Sequence, residues 1–365
     1  MKSVVSILST LGIFLVVPVF MGGCGDTASE SSKLYLTLQG SGDAPGSAVS
    51  VVNTETDELI TTVHVGTGAM PHDVICSIDN TKVFASNPML NSTVAIDVAT
   101  DTVANTVDLG ENAVPWHVDV SLDGRWVYTA NMDQTVVAKM STSDYTKVAD
   151  TIEFSDAPWA VASTESNIYV TLNGSIAGGT ANSDISKVGV FDVNATDPEV
   201  TYLTVGRGPH GLLASHDKNY VYVASQYSHE VWRIDVAANT SSLFTSIPDP
   251  AGPDGETAHN PGFPTDIAVS PDDKTVIAFN HDIDSMSFID ASTGEIIDTV
   301  STGAGSQPWG GIYSQDGTKV YVSTNGYSTV SVFDAATRKE TKKIDIGGLG
   351  PDGMIHCGTV ASNSV

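Results

Sequence analysis

Pro308-Trp309-Gly310-Gly311-Ile312-Tyr313-Ser314-Gln315-Asp316-Gly317-Thr318-Lys319-Val320-Tyr321-Val322-Ser323-Thr324-Asn325 contains two short apolar runs joined by a Ser-x-Asp-Gly turn. The same order of residues recurs after Pro71, Pro115, Pro158, Pro209, Pro264 and Pro351, at spacings of 44, 43, 51, 55, 44 and 43 residues. Six residues past each proline stand Ser77, Ser121, Thr164, Ser215, Ser270, Ser314 and Cys357. Two further on, five units carry Asp79, Asp123, Asp217, Asp272 and Asp316. An apolar, Tyr-rich run follows and ends in most units at an asparagine: Asn87, Asn131, Asn173, Asn280 or Asn325. A third run ends at Asp97, Asp192, Asp235, Asp290 or Asp334. Short strands at this spacing, separated by turn residues, read as an all-β chain. A period near 43 with four strands per unit is that of a propeller blade.

The chain ends complete the count. Beyond Pro351 only one strand remains, around Gly353 to Cys357, and three unclaimed strands precede Pro71: Leu34 to Leu38, Ala48 to Val52 and Leu59 to Val65. One strand plus three makes a seventh blade closed by both ends of the chain, which leaves the ring no open seam. The expected fold is therefore a seven-bladed β-propeller of four-stranded blades over residues 33–360, with a tail at 361–365. Three strand endings carry a resemblance: Tyr128-Thr-Ala-Asn131, Tyr169-Val-Thr-Leu-Asn173 and Tyr321-Val-Ser-Thr-Asn325. They resemble the YVTN family of seven-bladed propellers over nearly the whole chain after its leader. That resemblance implies a fold and leaves function open, since propellers host enzymes, binders and scaffolds alike.

Residues 1–23 read as a leader. Met1-Lys2 is basic, Val4 to Phe20 is almost wholly apolar, and Met21-Gly22-Gly23-Cys24 precedes a polar linker, residues 24–32. The segment resembles a bacterial lipoprotein signal, which implies a lipid on Cys24, although Met21 stands where that family usually has Leu. Gly25 in place of Asp implies, by the same resemblance, anchoring at the outer membrane. A transmembrane anchor is the alternative, for which the apolar run is slightly short. Cys76 and Cys357 remain. They fall on the first and last innermost strands, with registers one residue apart, and both a disulfide and buried free thiols stay open.

The chain carries 43 acidic against 16 basic residues, a formal net charge of −27. Such a surface repels phosphate backbones, so nucleic acid is not an expected partner. It suits saline solubility, cation binding or a basic partner. If strand a runs down from each proline, the d–a and b–c loops share one face, the top. Both long insertions, Asn173 to Lys187 and Ser246 to Phe263, fall there. The residues following the prolines are His72, Trp116, Trp159, His210, Thr265, Trp309 and Asp352, then Asp73, His117, Ala160, Gly211, Asp266, Gly310 and Gly353. His229 and His281 open b–c loops, and His259 lies in an insertion. Aromatic rings, imidazoles and carboxylates in one rim are the mixed lining of a binding pocket. The same tryptophans equally suit a plug of the axis.

Three functions follow as expectations. The first is a lipid-anchored module that binds a protein or small molecule through Trp116, Trp159, Trp309, His72, His117, His210, Asp73, Asp266 and Asp352. The second is a periplasmic oxidoreductase holding copper or another divalent metal on His72, His117, His210, His229 and His281, with the acidic surface docking a basic redox protein. No HxH or HExxH spacing supports it. The third is a metal-dependent, lactonase-like hydrolase built on Asp73, Asp266 and Asp352. No nucleophile motif stands out, and the Ser-x-Asp pairs read as turn caps.

Overall fold

In the computed structural model the described residues are 32–41, 44–173, 185–248, 262–348 and 350–357. The leader, Cys24, His259, the tail and most of both insertions lie outside them. The described residues form seven four-stranded antiparallel sheets arranged as the blades of a ring. The innermost strands are Val74–Cys76, Pro115–Val120, Pro158–Ser163, Pro209–Ala214, Pro264–Val269, Pro308–Tyr313 and Pro351–Cys357. The last of these pairs with Lys33–Ser41, which continues through Ala44–Asn53 to Glu58–His64, so the seventh blade is built from both ends as expected.

Alternating side chains on each sheet face the neighbouring blade, and the described residues form seven apolar clusters, one per blade–blade interface. The Tyr of the second strand is buried in five blades, at Tyr35, Tyr128, Tyr169, Tyr222 and Tyr321, with Phe84 and Ile277 in its place in the other two. On the bottom face the closing blade is fastened on both flanks by one device. Tyr35 Oη and Lys33 Nζ donate to Asp101 of the first blade at 2.6 and 2.9 Å. Tyr321 Oη and Lys319 Nζ of the sixth blade donate to Asp57 of the seventh at 2.7 and 2.8 Å. The Ser-x-Asp pairs do cap turns: Ser77, Ser121, Ser215, Ser270 and Ser314 each donate to the Asp two residues on, at 2.6–2.8 Å.

The open question about the cysteines is resolved. Cys76 and Cys357 are joined in a disulfide with Cα atoms 5.4 Å apart, between the first and seventh blades.

Two consequences are measurable. Replacing both cysteines by serine lowers the unfolding free energy by about 2–5 kcal/mol in a denaturant titration, because the bridge spans 281 residues and restricts the unfolded chain. Val114, just before Pro115, sits at φ 44, a region that a β-branched residue strongly disfavours. Val114→Gly therefore raises stability by about 1 kcal/mol, read as a higher Tm.

Candidate functional site

The top of the axis is built by an irregularity repeated in every blade where the proline lies in the ladder. Pro209 faces Ser225 and Leu212 faces Val223, so three steps on the inner strand meet two on its partner. The same slip follows Pro115, Pro158, Pro264, Pro308 and Pro351. A bulge suspends the two-residue alternation of a strand. Both residues after the proline thereby face the axis, where regular pleating would send one away.

Thirteen of these fourteen residues line one cavity of about 30 Å³, the exception being Gly310. The rings form a nearly continuous belt. His72 lies 3.8 Å from Trp116, Trp116 lies 5.1 Å from Trp159, and Trp159 lies 4.8 Å from His210, centroid to centroid. His210 and His281 both meet Trp309 edge-on, at 5.6 and 5.1 Å. Phe263 and Tyr227 extend the belt outward from His281. The nine side chains expected at the rim are thus brought together, and His281 joins them through Trp309. His229 does not line the cavity. It closes the Gln226–Ser228 turn in a left-handed conformation.

The carboxyls sit within this belt rather than in solvent. Asp73 Oδ2 accepts from Val118 N–H at 3.0 Å and lies 3.2 Å from His117 Nδ1. Asp352 Oδ2 accepts from Gln39 Nε2 and lies 3.1 Å from His72 Nε2, outside hydrogen-bond geometry. Asp266 occupies space freed by Gly211 and Gly310, where a Cβ would overlap its carboxylate; Gly353 does the same for Asp73. Burial pushes the Asp73 carboxyl up to about 7. Burial and then the neighbouring Asp73 push Asp266 up to about 8. Asp352 is raised well above the usual range by burial and by both other carboxyls. The imidazoles move the opposite way. Burial holds His72 well below its usual value, His117 at about 4 and His210 at about 3. In the His72–Asp352 contact burial disfavours the charged form of both groups.

No group of three or more His, Cys, Asp or Glu among the described residues is placed to hold a metal ion. The histidines expected as metal ligands, His72, His117, His210, His229 and His281, do not form such a group among the described residues. Indoles separate the imidazoles around the belt. His210 Nδ1 is engaged by Thr265 O at 2.8 Å, His117 Nδ1 takes Val161 N–H at 3.4 Å, and His281 Nδ1 pairs with Asp282 at 2.7 Å.

Several residues that build the belt carried no separate signal in the sequence, apart from Thr265, which follows a repeat proline. Thr37, Ser86, Thr171 and Thr265 are fully buried, and their hydroxyls donate to the carbonyls of His72, Trp116, His210 and Trp309 in the next blade, at 2.6–2.9 Å. Gln39 is another. Ser and Thr are common on half-buried strands, so nothing short of the blade-to-blade register distinguishes these.

No family model matches the chain, and no curated protein does. Solved structures do. The Pseudomonas aeruginosa periplasmic gluconolactonase is similar at a TM-score of 0.71 and 16% identity, covering 89% of this chain and 99% of that one. A putative 6-phosphogluconolactonase from Bacteroides fragilis is similar at 0.69 and 19%, over 92% and 99%. Kuenenia stuttgartiensis hydrazine synthase is similar at 0.66 and 16%, over 80% and 90%. At these identities the likeness establishes the seven-bladed propeller fold and nothing finer.

The shifted groups set a pH dependence. Asp73, Asp266 and Asp352 bind their protons more tightly folded than unfolded. Their contribution is complete below the ordinary carboxylate range near pH 4 and is lost as pH rises through about 7 and about 8. The depressed histidines favour folding increasingly up to about pH 6.5 and change nothing above it. The two sets oppose each other below about pH 6.5, and only the carboxyls act above it. Thermal melts should show Tm falling from about pH 6.5 to about pH 8.5, with a shallower fall in Asp266→Asn.

Proposed function

We propose that this chain is a binding module that engages a ligand or partner protein through its top face, held at a membrane by lipid on Cys24. The observation that carries this reading is the closed axis. A cavity of about 30 Å³ behind a belt of His and Trp rings accommodates one or two water-sized groups, whereas small-molecule sites are commonly about 300–1,000 Å³. Three half-buried indoles then form the floor of the top face, an arrangement suited to contact.

The lactonase-like alternative is supported by the fold of two neighbours whose names carry that activity, and by carboxyls tuned close to neutrality. Against it stands the size of the cavity, which does not admit a sugar lactone between the described residues. The copper alternative finds no donor set among them.

Purified protein should not hydrolyse δ-gluconolactone or 6-phosphogluconolactone above the uncatalysed rate, with or without added calcium, magnesium or zinc. Turnover that disappears in Asp73→Asn or Asp266→Asn would overturn the binding reading. A photo-crosslinking residue at Met89 or Tyr327, exposed in b–c loops, should capture a partner in native cells that one at Ile78 on the opposite face does not.

A further inference from the structure

The axial cavity combines three features that no single blade explains. Its walls include aromatic rings, among them Trp116, Trp159 and Trp309. Three carboxyls, Asp73, Asp266 and Asp352, converge on it without a lysine or arginine among the lining residues. His72 is 4% exposed, lines the same cavity, and makes no well-formed hydrogen bond at either ring nitrogen, its Nε2 lying 3.1 Å from Asp352 and the ring beside the Trp116 backbone. A buried polar side chain left in that state marks a position where a bound group completes the hydrogen bonding.

We propose that the cavity receives a primary ammonium group, as found on a lysine side chain or a simple alkylamine, inserted from the top face between the three indoles. This deepens the binding-module reading and rests on it. The carboxyls, the imidazole and the indole faces fit that chemistry, whereas the unpaired indole N–H groups of Trp116 and Trp159 gain no partner from it. An ammonium brings three donors and no acceptor, and carboxylates together with a neutral imidazole offer acceptors only where such a donor arrives. Indole faces attract a cation while covering the alkyl stem. The positive charge also relieves the mutual repulsion of the carboxyls, which otherwise stay protonated because burial and each other's charge disfavour ionisation.

Size sets the selectivity. About 30 Å³ holds an –NH3⁺ head and excludes a trimethylammonium group. Inorganic cations are disfavoured for another reason: among the described residues no group of three or more His, Cys, Asp or Glu is placed to hold a metal ion. An ammonium needs a separate acceptor for each of its directional N–H bonds, and Asp73, Asp266 and Asp352 offer them from three blades. The acidic surface, at net charge −27, would steer such a cationic partner toward the protein.

The test is a titration of the full chain with n-butylammonium chloride, followed by intrinsic tryptophan emission, since three of the five tryptophans line the cavity. The expected result is a saturable change within about 100 mM at about pH 8, with a dissociation constant at least about tenfold weaker in Asp266→Asn and in Asp73→Asn. Tetramethylammonium chloride and potassium chloride should give no saturable change. Three outcomes overturn the proposal: no saturable response to butylammonium, an equal response to potassium, or a response unchanged in both variants. Lactone turnover is assayed on the same preparations. Turnover would sink the binding reading, whereas absence of both turnover and an ammonium response would sink only the ligand class.

Discussion

The antiparallel pairing of Pro351–Cys357 with Lys33–Ser41 is the constraint on which the rest depends. Strands from opposite ends of the chain complete one blade, and that blade closes the ring. Closure carries a large loop-entropy cost, and the structure concentrates fastenings at this seam. The Cys76–Cys357 bridge ties the innermost strands of the first and seventh blades. Lys-Tyr-Asp contacts at Asp101 and Asp57 hold both flanks of the closing blade lower down. These pairs are partly buried with tyrosine hydroxyls sharing the carboxylate, which places them above isolated surface ion pairs in weight.

The seam is also where the site is completed. Asp352 comes from the last strand and meets His72 of the first blade and Gln39 of the first strand of the chain. Without closure the cavity would lack one of its three carboxyls. Structural fastening and pocket construction therefore share the same few residues, and substitutions at the seam act on both.

The axial belt illustrates how burial decides protonation. Three carboxyls and three imidazoles lie within one small cavity. Ionising them there would strand charge in a region of low polarity, so the acids shift up, the bases shift down, and the site is close to neutral when empty. Its acceptors are thereby held ready, at a cost to stability as pH rises through their raised values. The tryptophans serve packing and presentation together: they close the axis and offer their remaining surface to the top face.

The repeat of Pro, Ser-x-Asp and Tyr-x-x-x-Asn positions by itself determined the number of blades, the strand order within each and the closing blade shared by both ends, because each is a matter of local turn chemistry and period. It also named the residues following the prolines, since counting from a repeated landmark needs no coordinates. Only the tertiary structure decided that both successive positions face the axis, because the bulge after each proline breaks an alternation that sequence reading would assume. The disulfide between Cys76 and Cys357 was likewise open until the seam brought their backbones to 5.4 Å. The separation of the imidazoles by indoles depends on rotamers and ring stacking around the axis. The hydroxyls of Thr37, Ser86, Thr171 and Thr265 and the room left by Gly211 and Gly310 belong to contacts between blades, and no single repeat contains them.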